Sequence, residues 1–105
     1  MTLEEKSYKF RGGLWIGLLA NSWPSGVLEV AQNSLILRDE MFKKEYKFSK
    51  EDIVEIKIKK VFPIIGYGIR LIHTNQNYNS EIYFWYWSFR FDQLINALKE
   101  CGWLK

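Results

Sequence analysis

The chain contains a single histidine, His73, and a single cysteine, Cys101, and these are the side chains most able to act as a base or a nucleophile. Catalysis of that kind needs a partnered set of groups. His73 shares a predicted strand face with Ile69 and Leu71, which favours a hydrogen-bonded imidazole on a sheet. Cys101 lies on the apolar stripe of a predicted helix, which favours a buried structural thiol. We therefore expect no enzymatic activity.

Neither the acidic residues nor the glycines indicate a cofactor or metal site. The carboxylate pairs are sequence neighbours, such as Glu51-Asp52, and their side chains diverge on a strand or in a loop. One histidine and one cysteine cannot supply the three or four ligands of a zinc site, and the sequence has no Asp-rich calcium loop. Gly12-Gly13 and Gly66-Tyr67-Gly68 lack the spacing of a phosphate-binding loop, so we predict turn or bulge glycines. We expect neither a cofactor nor a metal.

Length and composition indicate one folded domain. The sequence has 105 residues, near the commonest single-domain size, and 48% of them are apolar. The longest apolar run, residues 14–20, is far below the roughly 20 residues that cross a bilayer, and the polar residues 1–6 do not resemble a signal peptide. We expect a flexible N-terminal segment, residues 1–11, followed by a single cytoplasmic domain, residues 12–105.

The net charge of +3 is concentrated between residues 43 and 60, a stretch that contains seven lysines and four acidic residues. Such an excess attracts an anionic partner. The alternative is a lysine-rich sheet edge that discourages aggregation, and the interleaved acidic residues favour it. The candidate anionic-surface residues are Lys43, Lys44, Lys47, Lys57, Lys59 and Lys60.

Hydrophobic periodicity predicts about seven short strands. In the clearest alternation, Val54, Ile56 and Ile58 share one strand face, opposite the charged side chains between them. Polar segments predict a turn at residues 21–26, a hairpin-like connection at Gln32-Asn33 and a polar loop at residues 75–80. The predicted strands cover residues 14–19, 27–30, 34–38, 46–48, 54–59, 67–74 and 81–87.

The period changes to that of a helix near the C-terminus, where apolar residues recur at helical spacing from Phe91 to Cys101. We predict Ser88 as N-cap, Gly102 as the residue after the C-cap, and Trp103 packing back onto the helix. A helix of about 12 residues cannot cover a long flat sheet. The strands are therefore predicted to curl into a barrel or sandwich that the helix closes.

Large aromatic residues mark the candidate interaction sites. In the strand 81–87 one ring-bearing face must enter the core, and the other either packs beneath the helix and the N-terminal segment or forms a partner surface. A tryptophan at the predicted Pro24 turn either fills the end of the barrel or contacts a partner. The interaction candidates are Tyr83, Trp85, Trp87, Trp15 and Trp23.

Three segments carry a family resemblance: residues 26–30 with 34–38, residues 46–53, and the helix 89–101. Over residues 12–104 this order resembles the pleckstrin-homology-like (PH-like) superfold, and in detail its bacterial PH-like and GRAM-type members. The resemblance implies an antiparallel barrel or sandwich of about seven strands capped by a C-terminal helix, in a fold that hosts lipid binding, peptide binding and scaffolding. Phosphoinositide-binding members place cationic residues around the first strand-to-strand loop. This chain has no Lys or Arg between Gly12 and Leu37.

We expect a non-catalytic binding or assembly module that acts through protein contacts, including self-association, because one short helix offers less cover than the apolar strand faces demand. One alternative is peripheral membrane association through the 43–60 lysines, helped by Trp23. A second alternative is weak single-stranded nucleic-acid binding. It ranks last because the lysines and the aromatic strand lie far apart in sequence and because no RNA-binding signature appears. No small-molecule substrate is inferred.

Overall fold

In the computed structural model, the described part of the chain forms seven antiparallel strands and one C-terminal helix, which confirms the predicted fold class. The structure describes residues 7–17, 19–62, 66–87 and 90–104, and for residues 19–24, 59–62 and 66 it describes the backbone alone. The elements are β1 (Ser7–Ile16), β2 (Leu19–Ala31), β3 (Leu35–Asp39), β4 (Lys44–Phe48), β5 (Ile53–Phe62), β6 (Gly66–His73), β7 (Ile82–Trp87) and α1 (Phe91–Glu100).

The strands form one sheet in the order β4-β3-β2-β1-β7-β6-β5. The sheet is continuous because β7 returns to pair with Gly13–Ile16 of β1. The strands β4 and β5 are therefore its two edges. The sheet curls so that inward side chains from all seven strands meet α1 in one core, in which Phe48 and Phe84 are fully buried. Burial of each such side chain stabilises the fold by about 1.5–3 kcal/mol.

The predicted turn at residues 21–26 is wrong, because β2 runs through it as a continuous strand of 13 residues. The chain reverses earlier, after Ile16, where Gly17 adopts a φ of +59°. That left-handed conformation costs little only for a residue without Cβ. The hairpin predicted around Gln32-Asn33 is confirmed, since Val30 pairs with Leu35.

The turn-like residues instead produce an irregularity within the β1–β2 pair. The register moves from Gly12 opposite Gly26 to Leu14 opposite Asn21. One residue of β1, Gly13, thus faces four residues of β2. Unequal strand lengths bend a sheet locally and increase its twist. The extra residues belong to β2, so Gly13 lies opposite the bulge and Gly12 is regularly paired with Gly26. Beyond this point the C-terminal half of β1 pairs with β7.

The first strand also extends further toward the N-terminus than predicted. Residues 7–11, which we expected in a flexible segment, pair with the end of β2, beginning with Ser7 opposite Ala31. Phe10 is buried, and the Tyr8 hydroxyl donates a hydrogen bond of 2.7 Å to Glu100 in α1. The inward aromatic positions alternate with cationic ones, so the apolar pattern was too sparse to be recognised.

The helix α1 buries the apolar stripe that its periodicity predicted, including Phe91, Leu94 and Leu98. Its N-terminus differs from the prediction, because the N-cap position is held by Arg90 without a capping side-chain hydrogen bond. The predicted N-cap, Ser88, lies outside the described residues. The helix has 10 residues and makes contact with the inward face of the sheet.

The C-terminal end of α1 is formed as predicted. Gly102 has a φ of +81°, its N–H donates to the carbonyl of Lys99, and the N–H of Trp103 donates to the carbonyl of Leu98 at 2.7 Å. These two bonds define a Schellman motif. The Trp103 ring is buried, and its Nε1–H donates to the Ala31 carbonyl at 2.6 Å. The helix end is thereby attached to β2.

Candidate interaction surfaces

The alternation of β7 separates its rings into an inward and an outward set. Ile82, Phe84 and Tyr86 are buried in the core. Tyr83, Trp85 and Trp87 are half-buried. The helix packs with the inward set, so the expected cover of the outward rings by the helix is not observed.

The outward rings are covered in part by one another and by close approach to β1. Trp85 and Trp87 pack edge to face with centroids 5.6 Å apart. A Cβ on Gly13 would collide with the indole of Trp85, so this ring lies directly over the β1 backbone. Gly68 of β6 lies opposite Trp85 on its other side. The lack of a side chain at Gly13 leaves the space that the indole occupies.

One row of outward residues crosses four neighbouring strands. Trp15 pairs with Tyr83, Tyr83 with Arg70, and Arg70 with Lys57. The Trp15 and Tyr83 rings lie 5.8 Å apart, and the Arg70 guanidinium lies 5.5 Å from the centre of the Tyr83 ring. Trp15 is 48% exposed, the largest exposure among the strand aromatic residues whose side chains the structure describes. We call the set Trp15, Lys57, Arg70, Tyr83, Trp85 and Trp87 the aromatic face.

Arg70 differs from the arginines on the other half of the sheet. Arg11 pairs with Glu40, and Arg38 pairs with two glutamates of neighbouring strands. Within the described residues Arg70 makes no ion pair, and its Nε is buried without a hydrogen-bond partner. Among the described residues, the Arg70 guanidinium thus contacts the Tyr83 ring and no carboxylate.

A second candidate surface is the unpaired side of β5, which we call the open edge. Val54 is 64% exposed and Ile58 is 56% exposed, whereas Ile56 is buried. The three residues share one strand face in the sequence pattern, but they are not buried together. A register shift between Ile53 and Glu55 displaces Val54 from the regular pleat. Ile58 lies opposite the buried Ile69 but on the last strand of the sheet, where no further strand flanks it.

The predicted anionic-surface lysines do not form one patch. Lys44 and Lys47 lie on β4, Lys57 lies on β5, and these are opposite edges of the sheet. Lys43 lies in the turn before β4 with a φ of +54°. The side chains of Lys59, Lys60 and the candidate Trp23 lie outside the part of the chain that the structure describes.

The turn between β3 and β4 contains exposed apolar residues that sequence reasoning missed. Met41 is 61% exposed and Phe42 is 51% exposed. Buried Asp39 accepts hydrogen bonds from both of their backbone N–H groups. The signal was present as two apolar residues between Glu40 and Lys43. We call residues 40–43 the hairpin tip.

Cys101 and His73, the two residues considered for catalysis, each contribute to the packing or hydrogen bonding of the fold. Cys101 is buried in the core beside the end of α1. His73 Nδ1 accepts a hydrogen bond from the Asn75 N–H, and its Nε2 lies 2.7 Å from the Asn79 carbonyl. Nε2 must then carry the hydrogen, because a carbonyl can only accept. His73 thus holds the loop between β6 and β7.

Hydrogen bonds to glutamates raise the pKa values of Arg11 and Arg38, and three further side chains have a shifted pKa. The hydrogen bond from Arg11 lowers the pKa of Glu40. The hydrogen bond to Glu100 raises the pKa of Tyr8, and burial raises the pKa of Tyr46. Each shift has a local structural cause, and none of these residues belongs to the aromatic face or the open edge.

Among the described residues, α1 is both too short and too polar to cross a bilayer. A comparison of the chain with protein-family models finds no match, and a comparison with curated proteins finds no similar sequence. The aromatic face, the open edge and the hairpin tip are therefore the candidate functional regions of the described chain.

Proposed function

We propose that this chain is a non-catalytic, cytoplasmic binding and assembly module of PH-like architecture that acts through protein contacts, including self-association. The observation that carries the proposal is the open edge. Here β5 pairs with β6 on one side only, and two branched apolar side chains, Val54 and Ile58, are exposed. An unpaired strand offers a row of backbone donors and acceptors to another strand. Exposed apolar side chains next to them add burial when a strand is added.

A second copy of the chain suits this edge. In an antiparallel pair with its two-fold axis at Ile56, Glu55 of each copy lies opposite Lys57 of the other. Both side chains are exposed on the outward side of β5. Opposite charges in directly paired positions stabilise strand pairing by about 0.2–1 kcal/mol each, whereas like charges oppose it. A closed two-fold arrangement also uses the same surface on both copies, as most homodimers do.

The oligomeric state tests this proposal by light scattering coupled to size exclusion over a wide concentration range. We expect concentration-dependent dimers, and we expect Ile58→Asp to give a monomer with unchanged thermal stability. The matched control is Met41→Asp, which changes an equally exposed apolar residue far from β5 and should leave the dimer intact. A wild-type chain that is strictly monomeric at the highest concentration would falsify the proposal.

The proposed register has a sharper test in charge exchange. Glu55→Lys and Lys57→Glu should each weaken the dimer, because each single change places like charges opposite one another. The double exchange should restore it. If the double variant is as weak as the two single variants, the proposed pairing about Ile56 is wrong even if the chain dimerises.

Peripheral membrane association is a second candidate, and the hairpin tip is the observation that favours it. Met41 and Phe42 are exposed next to Lys43 and Lys44. Apolar side chains can enter the interface of a bilayer while lysines contact anionic headgroups, at about 1 kcal/mol for each lysine. We expect salt-sensitive sedimentation with phosphatidylserine vesicles that Phe42→Asp abolishes. An absence of sedimentation at low salt would eliminate this candidate.

A further inference from the structure

The aromatic face combines stacking rings with cations that the sequence separates widely. Lys57 and Tyr83 are 26 positions apart in the chain (83 − 57), yet only one strand, β6, lies between theirs. This separation was one of the two reasons for ranking nucleic acid last among the partners, beside the lack of an RNA-binding signature. The separation in sequence does not apply to the folded sheet.

We propose that the aromatic face binds single-stranded nucleic acid, with bases stacking on Trp15 and Tyr83 and phosphates contacting Arg70 and Lys57. Single-stranded nucleic acid is bound by surfaces that combine exposed rings with a line of positive charge, because every base has a stacking face and every nucleotide an anionic phosphate. The proposal concerns a different partner from the self-association at the open edge, and the two surfaces share Lys57 on β5.

The geometry of the row suits an extended strand of nucleotides. Neighbouring strands lie about 4.8 Å apart, so the four paired residues form a continuous path about 14 Å long across the sheet. Its ring half is Trp15 and Tyr83, whose planes are tilted by 46°. Its cationic half is Arg70 and Lys57, which are directly paired. A nucleic-acid strand that runs across the sheet from β1 to β5 would pass the two rings and then the two cations.

The charge of the row favours an anionic partner over a second copy of this surface. None of its four residues is acidic, and Arg70 makes no ion pair among the described residues. The register adds the position of Lys59, opposite Gly68 in the next row. Glu55 lies two positions from Lys57 along β5, in the row of Ile72. If two copies of the row were placed face to face, their cationic side chains would repel one another. The row contains no carboxylate that would offset this repulsion.

Arg70 is also prepared for a phosphate by its surroundings. Its Nε is buried and unsatisfied, and its guanidinium lies over the Tyr83 ring. Guanidinium groups stack on rings while their edges donate to phosphate oxygens. A phosphate at the exposed edge of the guanidinium would add charge-assisted hydrogen bonds to a side chain that is already oriented.

Fluorescence anisotropy with a labelled oligothymidylate in low-salt buffer tests the inference. We expect saturable binding that weakens with salt, together with quenching of tryptophan fluorescence. Trp15→Ala should weaken binding by about tenfold or more, the usual effect of removing one stacking ring. Arg70→Met, which keeps the aliphatic stem, should lower the slope of log affinity against log salt by about 0.7.

Matched controls come from the other half of the sheet. Phe42→Ala removes an equally exposed ring, and Lys47→Met removes an exposed lysine on β4, so neither should change the affinity by more than about twofold. Circular dichroism shows whether each variant is folded. If Arg70→Met does not fold, Lys57→Met at an exposed position replaces it. Absence of binding at low salt overturns the inference, as does binding that Trp15→Ala and the cationic variants leave unchanged. Loss of self-association in Trp15→Ala, without oligonucleotide binding by the wild type, would assign the face to a protein partner instead.

Discussion

The two edges of the sheet both carry exposed lysines, yet within the part of the chain that the structure describes only one of them is covered by another segment. At β4, the loop between β6 and β7 folds over the edge: the Tyr78 hydroxyl accepts a hydrogen bond from the Lys47 N–H, and its ring packs on Tyr46 and Phe48 at 5.2 Å each. At β5, Val54 and Ile58 are mostly exposed. The comparison shows that lysine content does not decide which edge is available, whereas loop cover does.

The largest expected effect contrasts an apolar residue at each edge. Phe48 on β4 is fully buried, whereas Ile58 on β5 is 56% exposed. Phe48→Ala should lower the free energy of unfolding by about 3–5 kcal/mol, the range for removal of a buried ring. Ile58→Ala should change it by no more than about 0.5 kcal/mol. Urea denaturation measures both, and similar losses for the two variants would contradict the difference between the edges.

The next effect concerns the residue that covers β4. Tyr78→Ala removes a ring that packs on two aromatic side chains, so it should cost about 2 kcal/mol or more. Tyr78→Phe keeps the ring and removes one hydrogen bond, which should cost about 1 kcal/mol. Hydrogen exchange at the Lys47 amide should become faster in both variants. If that amide stays equally protected, another group covers the edge.

A smaller effect is expected at the corner that joins the two edge strands. Lys50 donates a hydrogen bond of 2.7 Å to the Cys101 carbonyl at the end of α1, and its Nζ lies 5.4 Å from the Trp103 ring. A cation at a helix C-terminus and over a ring should contribute about 1 kcal/mol. Lys50→Ala should lower thermal stability, whereas Lys47→Ala, the same change on the exposed part of β4, should not. Equal melting temperatures for the two variants would refute this role.

The smallest effect is expected near the β4 edge, in the ion pair between Arg11 on β1 and Glu40 in the hairpin tip. Because this pair lowers the pKa of Glu40 in the folded chain, its contribution is present at neutral pH and disappears as the pH falls through the lowered value. Glu40→Gln should therefore be less stable than wild type at pH 7 and equally stable in strong acid. Arg11→Met should show the same trend, and the double variant should add nothing. Chemical denaturation across this pH range would reveal a constant difference if the pair has no role.

Several elements could be predicted because their determinants are local. The Schellman end of α1 depends on Gly102 and on an apolar residue after it, and both stand in one short segment. The hairpins between β2 and β3 and between β6 and β7 follow from polar residues between apolar runs. The burial of alternate residues in β7 follows from the strand period of two.

The errors arose where distant segments override local preference. Residues 21–26 have turn chemistry, but β2 passes through them because pairing of β1 with β7 requires a bend rather than a reversal at that point. Residues 7–11 are mostly polar, but pairing with β2 and the contact of Tyr8 with α1 hold them in a strand. Val54 and Ile58 have the pattern of core residues, but a bulge and an edge position expose them.

The sequence by itself determined the class of the fold and the C-terminal helix, because periodicity and capping residues are properties of neighbouring positions. The tertiary structure alone decided which strands became edges, which edge is covered, and that Lys57, Arg70, Tyr83 and Trp15 lie in one row. The physical reason is that strand order brings together residues from separate parts of the chain. No local pattern records which strand will lie beside which.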